Sequence, residues 1–207
     1  FDVVTYKGDG VAGKKILHSM NKSPEMMWVK TRDSSGNDAA WQVYHSGLGQ
    51  TDNDPEGWNL YLDTSQKENW SNTGRWNFTV PTSTHFTLGN YDGVNKNGDD
   101  YIAMLFATVE GISKVGRYDG TDTTQTIPTG FQPRFVILKR TNTAGSWFVL
   151  DTTRGWGAGN DEFLLLNSTA AQDGNYNLGE PTATGFTLTG NDSYNNAGDK
   201  FIYYAHA

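Results

Sequence analysis

Two stretches of the chain carry one pattern: residues 81–107 read PTSTHFTLGNYDGVNKNGDDYIAMLFA, and residues 181–207 read PTATGFTLTGNDSYNNAGDKFIYYAHA. They align at an offset of 100 without a gap, and 12 of the 27 positions are identical. Self-similarity at a fixed spacing is the signature of a repeated structural unit. The chain is therefore predicted to contain the same fold twice.

The similarity extends upstream of these stretches. MMWVKTR at 26–32 matches FVILKRT at 135–141, WQVYHSGLG at 41–49 matches WFVLDTTRG at 147–155, and LYLDTS at 60–65 matches LLLNST at 164–169. These matches define a first unit at 1–109 and a second unit at 114–207, joined by residues 110–113. The first unit is longer mainly near 50–80, where it carries an insertion.

Each unit is predicted to be built from β-strands. Short segments rich in Val, Ile, Thr and aromatic residues are separated by Gly, Asn and Asp clusters. Alternation is clearest at His85-Phe86-Thr87-Leu88, where apolar residues face one side. The expected strands are 2–6, 12–17, 26–32, 40–45, 59–64, 84–88 and 100–107 in the first unit, and 114–118, 123–128, 134–141, 146–151, 162–167, 184–188 and 200–206 in the second.

About seven strands in roughly 100 residues are typical of an antiparallel sandwich. The predicted fold is all-β: tandem antiparallel β-sandwich units of jelly-roll or lectin-like type, related by internal duplication. A single larger jelly roll, with each repeat giving half the strands, is the alternative. Each unit has enough apolar strands to cover its own core, which favours two sandwiches.

Composition excludes several classes of protein. The chain of 207 residues has no Cys, a formal net charge of −7 and 13% aromatic residues. The absence of Cys excludes disulfides and thiolate metal sites, and the acidic balance argues against a nucleic-acid partner. No apolar run approaches the roughly 20 residues that cross a bilayer, so no membrane insertion is expected. No signal-peptide pattern precedes the first strand, and a start at Phe1 suggests a fragment or a processed product.

Residues that occur at matching positions in both units most simply serve the fold. Trp41 and Trp147 match, as do Tyr6 and Tyr118, and all four are expected to be structural. The polar residues that recur near the end of each unit have two interpretations. They form Asx turns between two strands, or they supply oxygen ligands to Ca²⁺. They are Asp92, Asn95, Asp99, Asp192, Asn195 and Asp199.

No catalytic motif is present, so no enzymatic activity, cofactor or metal is predicted. His45 and Ser46 are neighbours, but neighbours on a strand point to opposite faces and cannot act as a nucleophile–base pair. The acidic residues of the connecting loops could pair for glycoside hydrolysis. They are Asp52, Asp54, Glu56, Asp161 and Glu162. The competing interpretation is a solvated acidic loop.

Aromatic residues in polar loops are the candidate binding residues. A planar ring can stack on the apolar face of a sugar while nearby Asn and Asp bond its hydroxyls. The candidates are Trp58, Trp70 and Trp76 in the insertion, and Trp156, Tyr176 and Tyr194 in the second unit. The alternative is that these rings pack under long loops or fill a subunit interface.

One run of motifs resembles a repeated module of bacteriophage and cyanophage tail-fibre-like proteins. The motifs are Tyr118-Asp119-Gly120, Gly130-Phe131-Gln132-Pro133-Arg134-Phe135-Val136-Ile137-Leu138-Lys139-Arg140 and Trp147-Phe148-Val149, followed by the closing segment 198–207. The first unit departs from the pattern, because Met20-Asn21-Lys22-Ser23 replaces the Gly-Phe pair before Pro24. The resemblance implies a virion surface component with a lectin-like sandwich and no assigned catalytic residues.

Three functions follow as hypotheses. The first is a non-enzymatic adhesion module, exposed on a virion or otherwise extracellular, that binds host-surface glycan. The second is a structural subunit of a virion or filament that self-associates or contacts other subunits, in which a terminal segment such as 1–6 adds to a neighbouring sheet. The third is an enzyme that acts on polysaccharide.

Overall fold

The computed structural model describes residues 1–33, 39–49, 54–71, 74–190 and 193–207. The chain divides into two compact units: unit 1 comprises Phe1–Asp63 and Glu68–Ala107, and unit 2 comprises Thr64–Lys67 and Thr108–Ala207. The short segment 64–67, which the sequence pattern assigns to the first repeat, therefore groups with unit 2.

The described part of unit 1 contains eight strands, one turn of 3-10 helix and one turn of α-helix. The strands are β1 (Asp2–Lys7), β2 (Lys14–Leu17), β3 (Met26–Thr31), β4 (Gln42–His45), β5 (Trp58–Tyr61), β6 (Asn69–Trp70), β7 (His85–Leu88) and β8 (Asp100–Phe106). The helical turns are η1 (Pro55–Gly57) and α1 (Asp92–Asn95). Six strands form an antiparallel sheet in the order β1-β8-β3-β4-β5-β6, and β2 pairs with β7.

Unit 2 contributes nine described strands. They are β9 (Ser113–Asp119), β10 (Gln125–Pro128), β11 (Phe135–Arg140), β12 (Trp147–Asp151), β13 (Asp161–Leu165), β14 (Asp173–Tyr176), β15 (Pro181–Thr182), β16 (Gly185–Leu188) and β17 (Lys200–His206). The large antiparallel sheet has the order β9-β17-β11-β12-β13-β14, and β10, β16 and β15 form a small sheet.

The large sheets of the two units have the same strand order and the same register. In unit 1 Gln42 pairs with Val29 on one side and with Tyr61 on the other. In unit 2 Phe148 pairs with Leu138 and with Leu165. These partners are the ones that the sequence alignment makes equivalent, so residues of the two units can be compared position by position.

Each unit is a sandwich with its own apolar core between a large and a small sheet, which confirms the all-β prediction. The core of unit 1 contains Ile16, Met27, Val29, Tyr44, Trp76, Phe86, Leu88, Val94, Tyr101, Ala103 and Leu105. The core of unit 2 contains Tyr118, Ile127, Phe131, Val136, Leu138, Leu150, Trp156, Phe163, Leu178, Phe186, Leu188, Tyr194, Phe201, Tyr203 and Ala205. Burying a large apolar side chain contributes roughly 1.5–3 kcal/mol, so these clusters supply the main stabilisation.

The matched tyrosines hold the first strand of each large sheet. Tyr6 stacks on Tyr101 with ring centres 5.1 Å apart, and Tyr118 stacks on Phe201 at 4.8 Å. Each tyrosine hydroxyl also donates to a backbone carbonyl at 2.7 Å. Of the matched tryptophans, Trp147 is buried and Trp41 is half-buried.

The recurring asparagines fasten loops within each unit. Asn95 and Asn195 are fully buried. Asn95 accepts from the backbone N–H of Asp9 and donates to two backbone carbonyls. Asn195 likewise accepts from Thr121 and donates to two carbonyls. A side-chain amide suits this role because its oxygen accepts one hydrogen bond while its NH₂ group donates two.

The calcium interpretation gains no support from the described residues. They contain no group of three or more His, Asp or Glu side chains that could hold a metal ion. Asp99 is engaged by Lys96, and its equivalent Asp199 by Arg140. Asp192, one of the six proposed oxygen donors, lies outside the described residues.

Candidate ligand-binding site

The structure divides the six candidate aromatic residues into buried and accessible side chains. Trp76, Trp156 and Tyr194 are buried, at 0%, 3% and 5% exposure. Trp58 is half-buried, whereas Trp70 and Tyr176 are 43% and 49% exposed. Exposure of an aromatic face is what stacking on a sugar requires, so the six do not form one site.

Trp76 and Trp156 belong to the cores of their units and not to the loop surfaces on which the sequence pattern placed them. The Trp76 ring meets Tyr44 edge to face at 5.8 Å, and its Nε1 donates to the carbonyl of Trp58 at 3.1 Å. Trp156 meets Phe186 edge to face at 6.1 Å. Polar loops thus deliver these two rings to the interior, where their large apolar area is removed from water.

Trp70 and Phe78 form an exposed aromatic surface of unit 1, here named the Trp70 platform. Their ring centres are 5.9 Å apart, and Phe78 is 50% exposed. The Trp70 ring leans on Trp58 at 5.5 Å and passes over Gly57, where a β-carbon would lie 2.1 Å from Cζ3 of Trp70. Glycine at 57 is therefore required for this ring position.

Unit 2 contains a cavity of about 220 Å³ lined by four aromatic residues, Phe148, Phe163, Tyr176 and Tyr194, here named the unit 2 cleft. The ring of Phe148 lies 5.4 Å from Phe163 and 6.1 Å from Tyr194, and Phe163 lies 6.2 Å from Tyr176. Asp173 adds a carboxylate to the lining. Two of the six predicted binding residues, Tyr176 and Tyr194, thus meet in one place.

A β-bulge brings Asp173 and Tyr176 to the same cavity. Residues three apart on a regular strand point to opposite faces. Here Asp161 pairs with Tyr176 while Phe163 pairs with Asp173, so β14 has one residue more than β13 over this stretch. Bulges re-aim side chains in this way, and the extra residue lets both side chains line the cleft.

Asp161 supports one wall of the cleft from within. It is fully buried, and its carboxylate accepts from the backbone N–H groups of Gly157 at 2.9 Å, Leu178 at 2.6 Å and Gly179 at 3.2 Å. Burial raises its pKa, although the three N–H groups favour the ionised form and offset part of the effect. The solvated-loop interpretation is therefore wrong for Asp161, which fixes Leu178 against the cleft.

Of the other acidic candidates, Asp54 and Glu56 lie side by side in unit 1, and Glu162 lies in unit 2. Glu56 is buried, and burial together with nearby Asp54 raises its pKa. Glu162 is exposed on β13 and bonds Gln172. Asp52 lies outside the described residues.

Unit 1 fills the equivalent place with Arg75, a residue of its insertion. The Arg75 side chain is buried, donating through Nε to Gln42 at 2.9 Å and through Nη2 to the hydroxyl of Tyr61 at 2.9 Å. Gln42 and Tyr61 are the equivalents of the cleft residues Phe148 and Leu165. The cleft is thus open in unit 2, and in unit 1 a guanidinium occupies the same position of the fold.

Sequence reasoning missed Phe148, Phe163 and Asp173. A usable signal lies in the comparison of the repeats: Phe148 and Phe163 are aromatic where the aligned residues of unit 1 are Gln42 and Asn59. Aromatic residues at strand positions where the other repeat has polar residues indicate an aromatic site that is specific to unit 2.

The comparisons with known proteins place the chain in a family without assigning it an activity. Within the described ranges, no helix has the length and apolarity needed to cross a bilayer. No curated protein and no solved structure matches the chain. A family model described as a domain of unknown function, DUF7483, matches residues 1–207, and the chain belongs to that family.

Proposed function

We propose that the chain is a non-enzymatic adhesion module of a tail-fibre-like virion surface structure, and that it binds host-surface glycan through the unit 2 cleft. The observation that carries this proposal is the meeting of four aromatic rings and one carboxylate, that of Asp173, around a cavity of about 220 Å³. The tail-fibre context rests on the resemblance of the repeat motifs, chiefly the segment 130–140.

The chemistry of the cleft suits a sugar ring. Tyr176 is half-exposed, so one sugar residue can stack on it while its neighbours in the glycan stay in solvent. A carboxylate such as that of Asp173 accepts hydrogen bonds from sugar hydroxyls. The cavity is smaller than the roughly 300–1,000 Å³ of sites for drug-sized ligands, which fits capture of one terminal residue.

A second candidate function is that of a structural subunit, and the edge strand β1 favours it. This strand ends the large sheet of unit 1, and Val3 on it is 45% exposed. Edge strands with exposed apolar side chains invite pairing with another chain. Polymers in negative-stain images of the purified chain would support this function, and discrete particles would favour adhesion.

A glycan array probed with the full chain tests the adhesion proposal. We expect binding to at least one host-type glycan, with an affinity about 5- to 150-fold lower for Tyr176→Ala, since stacking of a nucleobase on one aromatic side chain contributes about 1–3 kcal/mol and we expect a sugar ring to fall in the same range. The matched variant Trp70→Ala removes the exposed ring of the Trp70 platform and should leave binding intact. Loss of binding in Trp70→Ala alone would overturn the assignment to the cleft, and no binding to any glycan or host cell would overturn the proposal.

A further inference from the structure

We infer that the unit 2 cleft recognises an organic cation, a methylated ammonium or a guanidinium group, carried by its ligand. This inference rests on the proposed function, because it names the substituent that the same cleft would select on a glycan. It goes beyond that function, since neutral sugars would satisfy the adhesion proposal equally well.

Unit 1 provides the internal precedent. At the equivalent position the guanidinium carbon of Arg75 lies 4.0 Å from the centre of the Tyr91 ring and 5.8 Å from that of Tyr61. A cation over an aromatic face within about 6 Å is attracted by the ring quadrupole, and the attraction grows when the site is desolvated. Arg75 is only 5% exposed. This position of the fold therefore accommodates a buried organic cation when one is present in the chain.

The unit 2 cleft has stronger features for a cation than the position that holds Arg75. Four aromatic rings surround it, and Asp173 supplies a formal negative charge, whereas Gln42 at the unit 1 position is neutral. One oxygen of Asp173 accepts from the backbone and amide N–H of Asn175. Within the described ranges, no Lys, Arg or His forms an ion pair with Asp173. Its charge is thus available to a ligand.

Size and hydration select among cations. A cavity of about 220 Å³ takes a single substituent and excludes a large one. A primary ammonium is strongly hydrated, whereas a guanidinium is more weakly hydrated and stacks on aromatic faces. Aromatic rings do not replace the hydrogen bonds to water that a primary ammonium gives up on binding. A methylated ammonium or a guanidinium gives up fewer of them, so the cleft favours these cations. The net charge of −7 adds attraction at long range.

The test is a titration of the full chain with choline and with its neutral isostere 3,3-dimethylbutanol, followed by NMR of the aromatic side chains. We expect choline to bind about tenfold tighter than the isostere and to shift the Tyr176 and Phe163 ring signals. Asp173→Asn should weaken choline binding about tenfold, toward the isostere. Glu162→Gln, which removes a charge on an exposed side chain of β13, should change it less than twofold. A parallel titration with methylguanidinium identifies the preferred cation as the one that binds tighter.

The inference would be overturned if choline bound no tighter than the isostere and methylguanidinium did not bind, or if cation binding were unaffected in Asp173→Asn. The glycan array separates this failure from that of the proposed function. A glycan that binds through Tyr176 while neither choline nor methylguanidinium competes leaves the adhesion proposal standing and removes the cation inference. Absence of both glycan and cation binding removes both.

Discussion

The guanidinium carbon of Arg75 lies 4.0 Å from the centre of the Tyr91 ring. This contact closes, in unit 1, the position that is an open aromatic cleft in unit 2. Arg75 comes from the insertion near 50–80, so the extra residues of unit 1 explain why this position differs between two large sheets of identical strand order. The main effect of the insertion is thus to supply the Arg75 side chain, which fills the position equivalent to the unit 2 cleft.

Removal of the Arg75 side chain should leave a cavity that a free guanidinium can refill. We expect Arg75→Ala to lose about 2–4 kcal/mol of unfolding free energy, because two hydrogen bonds and two cation–π contacts disappear and Gln42 keeps an unpaired acceptor. Low millimolar methylguanidinium should raise the melting temperature of this variant by more than that of the wild type, because both proteins keep the unit 2 cleft and only the variant has the vacated Arg75 position. Arg154→Ala, at an exposed arginine of unit 2, is the control and should respond to methylguanidinium as the wild type does. Equal responses of both variants would contradict the assigned role of Arg75.

Two tryptophans of the insertion should lose different amounts of stability on truncation. Trp76→Ala empties a fully buried position and should cost about 3–5 kcal/mol. Trp70→Ala removes a 43% exposed ring and should cost clearly less, about 1 kcal/mol. Urea unfolding of both variants, monitored by circular dichroism, makes the comparison. Similar costs for the two would mean that their locations are misassigned.

Asp161→Asn should loosen one wall of the unit 2 cleft. The amide can accept through only one oxygen, so at least one of the N–H groups of Gly157, Leu178 and Gly179 loses its partner. We expect a loss of about 1–3 kcal/mol and faster amide hydrogen exchange at 178 and 179. Glu162→Gln, one residue away but exposed, should preserve the exchange rates. Unchanged exchange in Asp161→Asn would show that the carboxylate does not hold this segment.

Lys139 should make stability rise with pH in the alkaline range. Its ammonium is buried and donates to the carbonyl of Gly145 at 2.7 Å, and burial lowers its pKa from 10.5 to about 8. Between about pH 8 and 10 the unfolded chain keeps a proton that the folded chain has lost, so the free energy of unfolding increases with pH. Below about pH 8 both states are protonated and this contribution is flat.

Lys139→Met provides the comparison, because the other titrating groups are shared with the wild type and cancel. The unfolding free energies of the wild type and the variant are measured at about pH 7 and about pH 9.5. Between these two pH values, the unfolding free energy of the wild type should rise by about 2 kcal/mol more than that of the variant. Parallel pH profiles for the two proteins would contradict a depressed pKa at this lysine.

Much of the fold was predictable because the repeat doubles every local signal. The alternation at 85–88 and the aligned segments 26–32 and 135–141 correspond to strands β7, β3 and β11. The short strands β6, β14 and β15 were not predicted. β6 and β15 have only two residues each, and β14 reads Asp-Gly-Asn-Tyr, a composition typical of a turn.

The candidate site was predictable only in part. Tyr176 and Tyr194 were identified as aromatic residues in polar loops, but the same signal also selected Trp76, which is buried. Neighbouring Asn, Ser and Gly indicate that a segment is a loop, but they do not indicate whether an aromatic side chain in that loop points into the core or into solvent. The bulge that aims Asp173 leaves no mark in a single sequence, because it depends on pairing between strands.

Glycan binding by the unit 2 cleft is tested most directly by an NMR measurement of intermolecular contacts between the full chain and the tightest glycan found on the array. Binding through the unit 2 cleft should give nuclear Overhauser effects from glycan protons to the rings of Tyr176 and Phe163, and none to the Trp70 platform. Contacts confined to Trp70 and Phe78, or a bound glycan without contact to any ring of the unit 2 cleft, would contradict it.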